Sequence, residues 1–70
     1  VRDRRPGGLS ARELDVLRLA AQGLTTREIA ARLYISAKTA DRHMQNLYTK
    51  IGASNRAAAT RWALANGVVE

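Results

Sequence analysis

The chain has no cysteine, which excludes disulfides, thiol chemistry and cysteine-based zinc sites. It has no phenylalanine, and its aromatic residues are Tyr34, Tyr48 and Trp62 alone. A stacking platform for single-stranded nucleic acid needs exposed aromatic rings, so that mode of binding is disfavoured. No apolar run approaches the roughly 20 residues needed to span a bilayer, and no membrane role is expected. No secretory signal is visible, so a cytoplasmic location is the default expectation. A nucleophile–base pair, a phosphate-binding loop and a metal-ligand set are all missing, so neither an enzyme nor a cofactor or metal site is expected.

Acidic residues are scarce. Twelve Lys and Arg oppose six Asp and Glu, for a formal net charge of +6 over 70 residues. All the cations but Lys38 and Lys50 are arginine, whose planar fork suits phosphates and guanine edges. A small, strongly basic chain suggests nucleic acid first and an anionic membrane surface second. The length allows one domain.

Residues 1–8 lack apolar periodicity and end in Pro6-Gly7-Gly8, a run that breaks regular structure. They read as a flexible basic linker or arm, with the folded domain spanning 9–70. Four helix starts follow. Ser10 with Glu13 forms a capping box, and Leu9 with Leu14 a hydrophobic staple. Thr25 with Glu28 and Leu24 with Ile29 repeat that grammar. Ser36 and Ser54 are the expected caps of the third and fourth helices. Gly23, Gly52 and Gly67 mark stops. The expected helices are 11–22, 26–33, 37–51 and 55–66. With no period-two segment, no sheet is expected. The fold class is all-α: a compact four-helix domain with a central helix-turn-helix.

The short second helix, the connection Tyr34-Ile35-Ser36 and the longer third helix make that central unit. Tyr34 occupies a turn position often given to glycine. On the third helix Ala40, Met44, Leu47 and Ile51 form the expected buried stripe. Lys38, Asp41, Arg42, Gln45 and Thr49 fall on the opposite side. An α-helix fits the major groove, where Arg and Gln read guanine and adenine edges. Asp41 either accepts from a cytosine amino group or orients Lys38 or Arg42. Exposed amides and hydroxyls at Thr25, Thr26 and Arg27, and again at Ser36 and Lys38, can hold phosphate oxygens. Asn46, Lys50 and Arg56 are candidates for tracking the backbone. His43 borders the buried stripe and reads as a packed side chain rather than a catalytic one.

The run from Leu9 through Val68 resembles the LuxR/NarL-type (GerE-type) helix-turn-helix domain. The residues that carry the resemblance include Leu9-Ser10-Ala11-Arg12-Glu13, Ala21-Gln22-Gly23-Leu24-Thr25, Glu28-Ile29-Ala30, Ile35-Ser36, Lys38-Thr39, His43, Asn46-Leu47 and Lys50-Ile51-Gly52. The resemblance implies the C-terminal domain of a bacterial transcription regulator that binds double-stranded DNA as a dimer, the sensed signal acting elsewhere. It implies that the third helix enters the major groove, with Asp41, Arg42 and Gln45 as base readers. Thr25, Thr26, Arg27, Ser36, Lys38, Thr39, His43, Asn46 and Lys50 would contact the DNA backbone. The fourth helix would make the homodimer contact through Ala58, Arg61, Trp62 and Ala65, although Trp62 serves equally well packed inside its own domain. RNA polymerase is a further partner to consider. Two departures stand out: Ala40 where the family usually has Val, and Asp41 where Lys is frequent. A sigma-factor-like promoter reader and a basic protein-interaction module are the competing readings. The first fits Lys50-Ile51-Gly52 less well, and the second leaves the polar face of the third helix unexplained.

Overall fold

The computed structural model describes residues 6–68. Reciprocal caps open its first two helices. In α1 (Ala11–Ala21) the Ser10 hydroxyl accepts from the Glu13 N–H at 3.1 Å, and the Glu13 carboxylate accepts from the Ser10 N–H at 2.9 Å. In α2 (Thr26–Leu33) Thr25 and Glu28 exchange the same two bonds at 3.1 and 2.8 Å. Each box satisfies donors that a helix start otherwise leaves unpaired, and such a cap contributes about 1 kcal/mol.

Ser36 opens α3 (Ala37–Ile51), accepting from the Thr39 N–H at 3.0 Å. The cap of α4 (Arg56–Ala65) is Asn55, whose side-chain oxygen accepts from the Ala58 N–H at 2.8 Å. The expected cap, Ser54, lies one residue earlier in the bend that precedes the helix. Both residue types cap well, so local sequence does not choose between neighbours. The observed ends match the expected ones to within a residue. Gly52 closes α3 at φ 72, a left-handed conformation that costs a residue without Cβ nothing. No strand occurs among the described residues.

α2 packs on α3, and α1 lies across both α3 and α4. The helices meet over Leu9, Val16, Leu17, Ile29 and Leu47, all fully buried. Full burial of side chains of this size contributes roughly 1.5–3 kcal/mol each. Alanines fill the close approaches: Ala20, Ala30, Ala40, Ala59 and Ala63 are buried, and their small volume lets the helices come together. The radius of gyration of 11.2 Å is that of a compact domain of this length, about 11 Å.

Of the arm expected over residues 1–8, residues 1–5 lie outside the described part. Pro6–Gly8 forms a 3-10 turn packed against α3. A Cβ on Gly7 would stand 2.8 Å from Cζ2 of Trp62 and 3.0 Å from Cγ2 of Ile51. The turn therefore sits directly on the indole, at a distance that admits only glycine.

Candidate nucleic-acid interface

Tyr34 ends α2 with φ 58 and ψ 42, the one non-glycine residue at positive φ among the described residues. The Ile35 N–H then bonds back to the Ala30 carbonyl at 3.0 Å. Ser36 caps α3 immediately afterwards. The chain thus leaves one helix and enters the next with no slack between them.

Burial divides α3 lengthwise. Ala40, Met44 and Leu47 are buried and Ile51 is half-buried, which is the stripe read from the sequence. Lys38, Thr39, Asp41, Arg42, Gln45 and Asn46 are exposed and line one shallow concavity on the opposite side. All three expected base readers therefore share a surface with three of the expected backbone residues. The Ser36 hydroxyl accepts from the Thr39 N–H and donates to the Thr39 side-chain oxygen at 2.9 Å. That arrangement leaves the Thr39 hydroxyl proton free to donate outward.

At the start of α2, Thr25 and Arg27 are exposed and Thr26 is half-buried. The Thr25 oxygen already caps Glu28, but its proton is uncommitted. His43 is half-buried at the edge of the stripe and makes no hydrogen bond to another described residue.

Three polar side chains of the expected surface are engaged inside the domain. The Lys50 ammonium lies 2.7 Å from Oε1 of Glu13, which is buried. The Arg56 guanidinium donates to the Leu24 carbonyl and, at 3.4 Å, to that of Ala20, clamping the α1–α2 turn. The Thr49 hydroxyl donates to the Gln45 carbonyl at 3.1 Å, within its own helix. The i,i+4 spacing of Thr49 and Gln45 is the local signal for that bond, which the sequence reading does not use. The other two bridge 37 and 36 residues, and no local pattern announces them.

Burial acts to raise the Glu13 pKa, but the bond from Lys50, the Ser10 N–H and the Lys50 charge outweigh it, and the carboxyl lies below its ordinary value.

On α4, Trp62 is half-buried and its ring carries the Pro6–Gly8 turn. Of the two readings left open for Trp62, packing within its own domain is the one this geometry supplies. Ala58 is also half-buried, whereas Arg61 and Ala65 are exposed. The large apolar side chain that α4 turns outward is Leu64, 54% exposed. It completes an open stripe with Ala57, Arg61 and Ala65 at helical spacing.

Residues 8–63 match the family described as bacterial regulatory proteins, luxR family. The chain belongs to that family. As a luxR-family domain it is a DNA-binding module of transcription regulators rather than an enzyme. It is 48% identical over 56 residues to the probable transcriptional regulatory protein NarL of Mycobacterium tuberculosis, a match spanning 80% of this chain and 26% of that protein. It is 51% identical over 51 residues to the probable transcriptional regulatory protein SgaR of Hyphomicrobium methylovorum, across 73% of this chain and 24% of SgaR. The crystal structure of the response regulator ChrA, of a heme-sensing two-component system, superposes with a TM-score of 0.82 at 38% identity. That superposition covers 97% of this chain and 33% of ChrA. The luxR-family domain thus spans about a quarter to a third of these relatives' length. No helix among the described residues is long and apolar enough to cross a membrane.

Proposed function

We propose that this domain binds specific sequences of double-stranded DNA to regulate transcription, with α3 in the major groove and a second copy bound through α4. The observation that carries the reading is the lengthwise division of α3. Its apolar side is locked into the core, and its exposed side presents Lys38, Asp41, Arg42 and Gln45 together. Arg42 has the geometry to donate twice to guanine O6 and N7, and Gln45 can pair with the N6 and N7 edge of adenine. Thr25, Thr26 and Arg27 at one helix start, and Ser36, Lys38 and Thr39 at the other, serve the phosphates. His43 and Asn46 serve the DNA backbone as well. Lys50 already holds Glu13 through its ammonium, and its exposed side chain retains further donors for a phosphate.

For the dimer, the geometry favours the open α4 stripe of Arg61, Leu64 and Ala65, with Ala58 and Trp62 at its inner border. Two-fold pairing of such domains would present two α3 helices to two half-sites about one DNA turn apart.

Binding to a selected duplex, followed by fluorescence anisotropy across a salt series, tests the proposal. Each neutralised phosphate lowers log K by about 0.9 per unit of log salt. The expected result is a slope of several such units and a site recovered from random duplex. Salt-independent binding, or no binding to any duplex, overturns it.

A further inference from the structure

Every other described acidic side chain has an intramolecular role. Glu13 caps α1 and binds Lys50. Asp15 lies between Arg12 and Arg18, at 4.0 and 3.8 Å. Glu28 completes the cap of α2. Asp41 has none: it is exposed on α3, and no described cation comes within salt-bridge distance of it. Lys38, one turn earlier, and Arg42, next along, both leave it alone, so the reading in which Asp41 orients one of them has no contact behind it. It nevertheless lies in the concavity with Lys38, Arg42 and Gln45. A carboxylate there meets phosphate repulsion unless the groove offers it a hydrogen-bond donor.

We propose that Asp41 makes cytosine obligatory at one position of the DNA site, an inference that rests on α3 occupying the major groove. A carboxylate only accepts hydrogen bonds. The major-groove edge offers donors at cytosine N4 and adenine N6 alone. Adenine sets its N7 acceptor beside that donor, where it opposes the second carboxylate oxygen. Cytosine presents its amino group with no acceptor of its own alongside. Guanine and thymine turn acceptors toward Asp41 and are excluded by repulsion. The selection is largely a penalty on wrong bases, because an unpaired carboxylate gains nothing from the surrounding polyanion.

Sites selected from random duplex by the parent chain, D41N and D41A test this. Asp41 is exposed, and circular dichroism confirms that each variant folds. The parent is expected to require cytosine at one position, D41N to shift that position toward adenine, and D41A to leave it degenerate, all other positions being unchanged. In a second arm that cytosine is replaced by N4-methylcytosine, whose methyl group takes the place of the groove-facing hydrogen while the other hydrogen stays in the base pair. Parent affinity should fall about tenfold to a hundredfold, and D41A affinity should change little. An identical motif for parent and D41A, or indifference of the parent to the methyl group, overturns the Asp41 assignment while DNA binding stands. A parent that binds no duplex overturns both.

Discussion

The Lys50 ammonium closes on the Glu13 carboxylate at 2.7 Å, tying the last turn of α3 to the first turn of α1. The carboxylate is buried while the Lys50 side chain is 42% exposed. Removing the lysine therefore strands a desolvated charge, with part of the cost relieved by water. Lys50→Met should destabilise the fold by about 1–2 kcal/mol, above an exposed pair and below a fully buried one. Urea unfolding at neutral pH measures it, and duplex selectivity should be unchanged once the variant is folded.

The same carboxylate makes stability depend on pH. Burial opposes its ionisation, but Lys50 and Ser10 more than compensate, so its folded pKa lies below the ordinary 4.5. The unfolded chain then binds the proton more readily. The contribution is intact above that ordinary value and is lost as pH falls through it toward the folded value. Unfolding free energy should decline as pH falls through and below the ordinary carboxyl range, and Glu13→Gln should flatten that decline. An unaltered slope in the variant would assign the acid sensitivity to other carboxyls.

Gly7 has φ 69, and its Cα faces the Trp62 ring. Gly7→Ala adds a left-handed penalty of about 1–2 kcal/mol to a contact 2.8 Å from Cζ2. A lower melting temperature with red-shifted Trp62 emission is expected. If both stay unchanged, the turn does not rest on the indole in solution.

Tyr34 is the reverse case, a left-handed residue whose side chain, 94% exposed, packs on nothing. Tyr34→Gly removes the steric cost and adds back some unfolded-chain entropy, a net gain of about 0.5–1 kcal/mol. The melting temperature should rise by roughly 2–8 °C.

On α4 the two large apolar residues should separate by experiment. Leu64→Glu is expected to shift the monomer–dimer balance toward monomer in sedimentation, with the melting temperature retained. Trp62→Ala should lower stability instead, because the indole supports the Pro6–Gly8 turn. Equal effects of both variants on association would place the interface deeper than the open stripe.

Arg42→Ala should cost about 1–3 kcal/mol at one base pair and little at others. Lys38→Ala should weaken all sequences alike and lower the salt slope by about one phosphate. Competition titrations with single-base variants of the site distinguish the two behaviours.

What the sequence determined by itself are the reciprocal caps and the helix faces, whose partners lie within one helical turn. Ser10 with Glu13, Thr25 with Glu28 and Ser36 with Thr39 are three residues apart, so backbone geometry alone brings them together. The stripe of Ala40, Met44 and Leu47 follows from 3.6 residues per turn, and the exposed face with Arg42 and Gln45 is its complement. Locality has its own limit: adjacent Ser54 and Asn55 satisfy the same capping rule, and only the folded chain shows Asn55 accepting from Ala58. Tertiary structure decided the fate of charges and rings whose partners are distant. Lys50 and Arg56 carry the same type of charge as Lys38 and Arg42, yet helix packing brings them to Glu13 and the Leu24 carbonyl. Trp62 became an internal support once Gly7 came to lie on it, leaving Leu64 as the outward apolar group. Asp41 gained its meaning the same way, because a carboxylate is conspicuous only when the folded chain has put every other described acid to use.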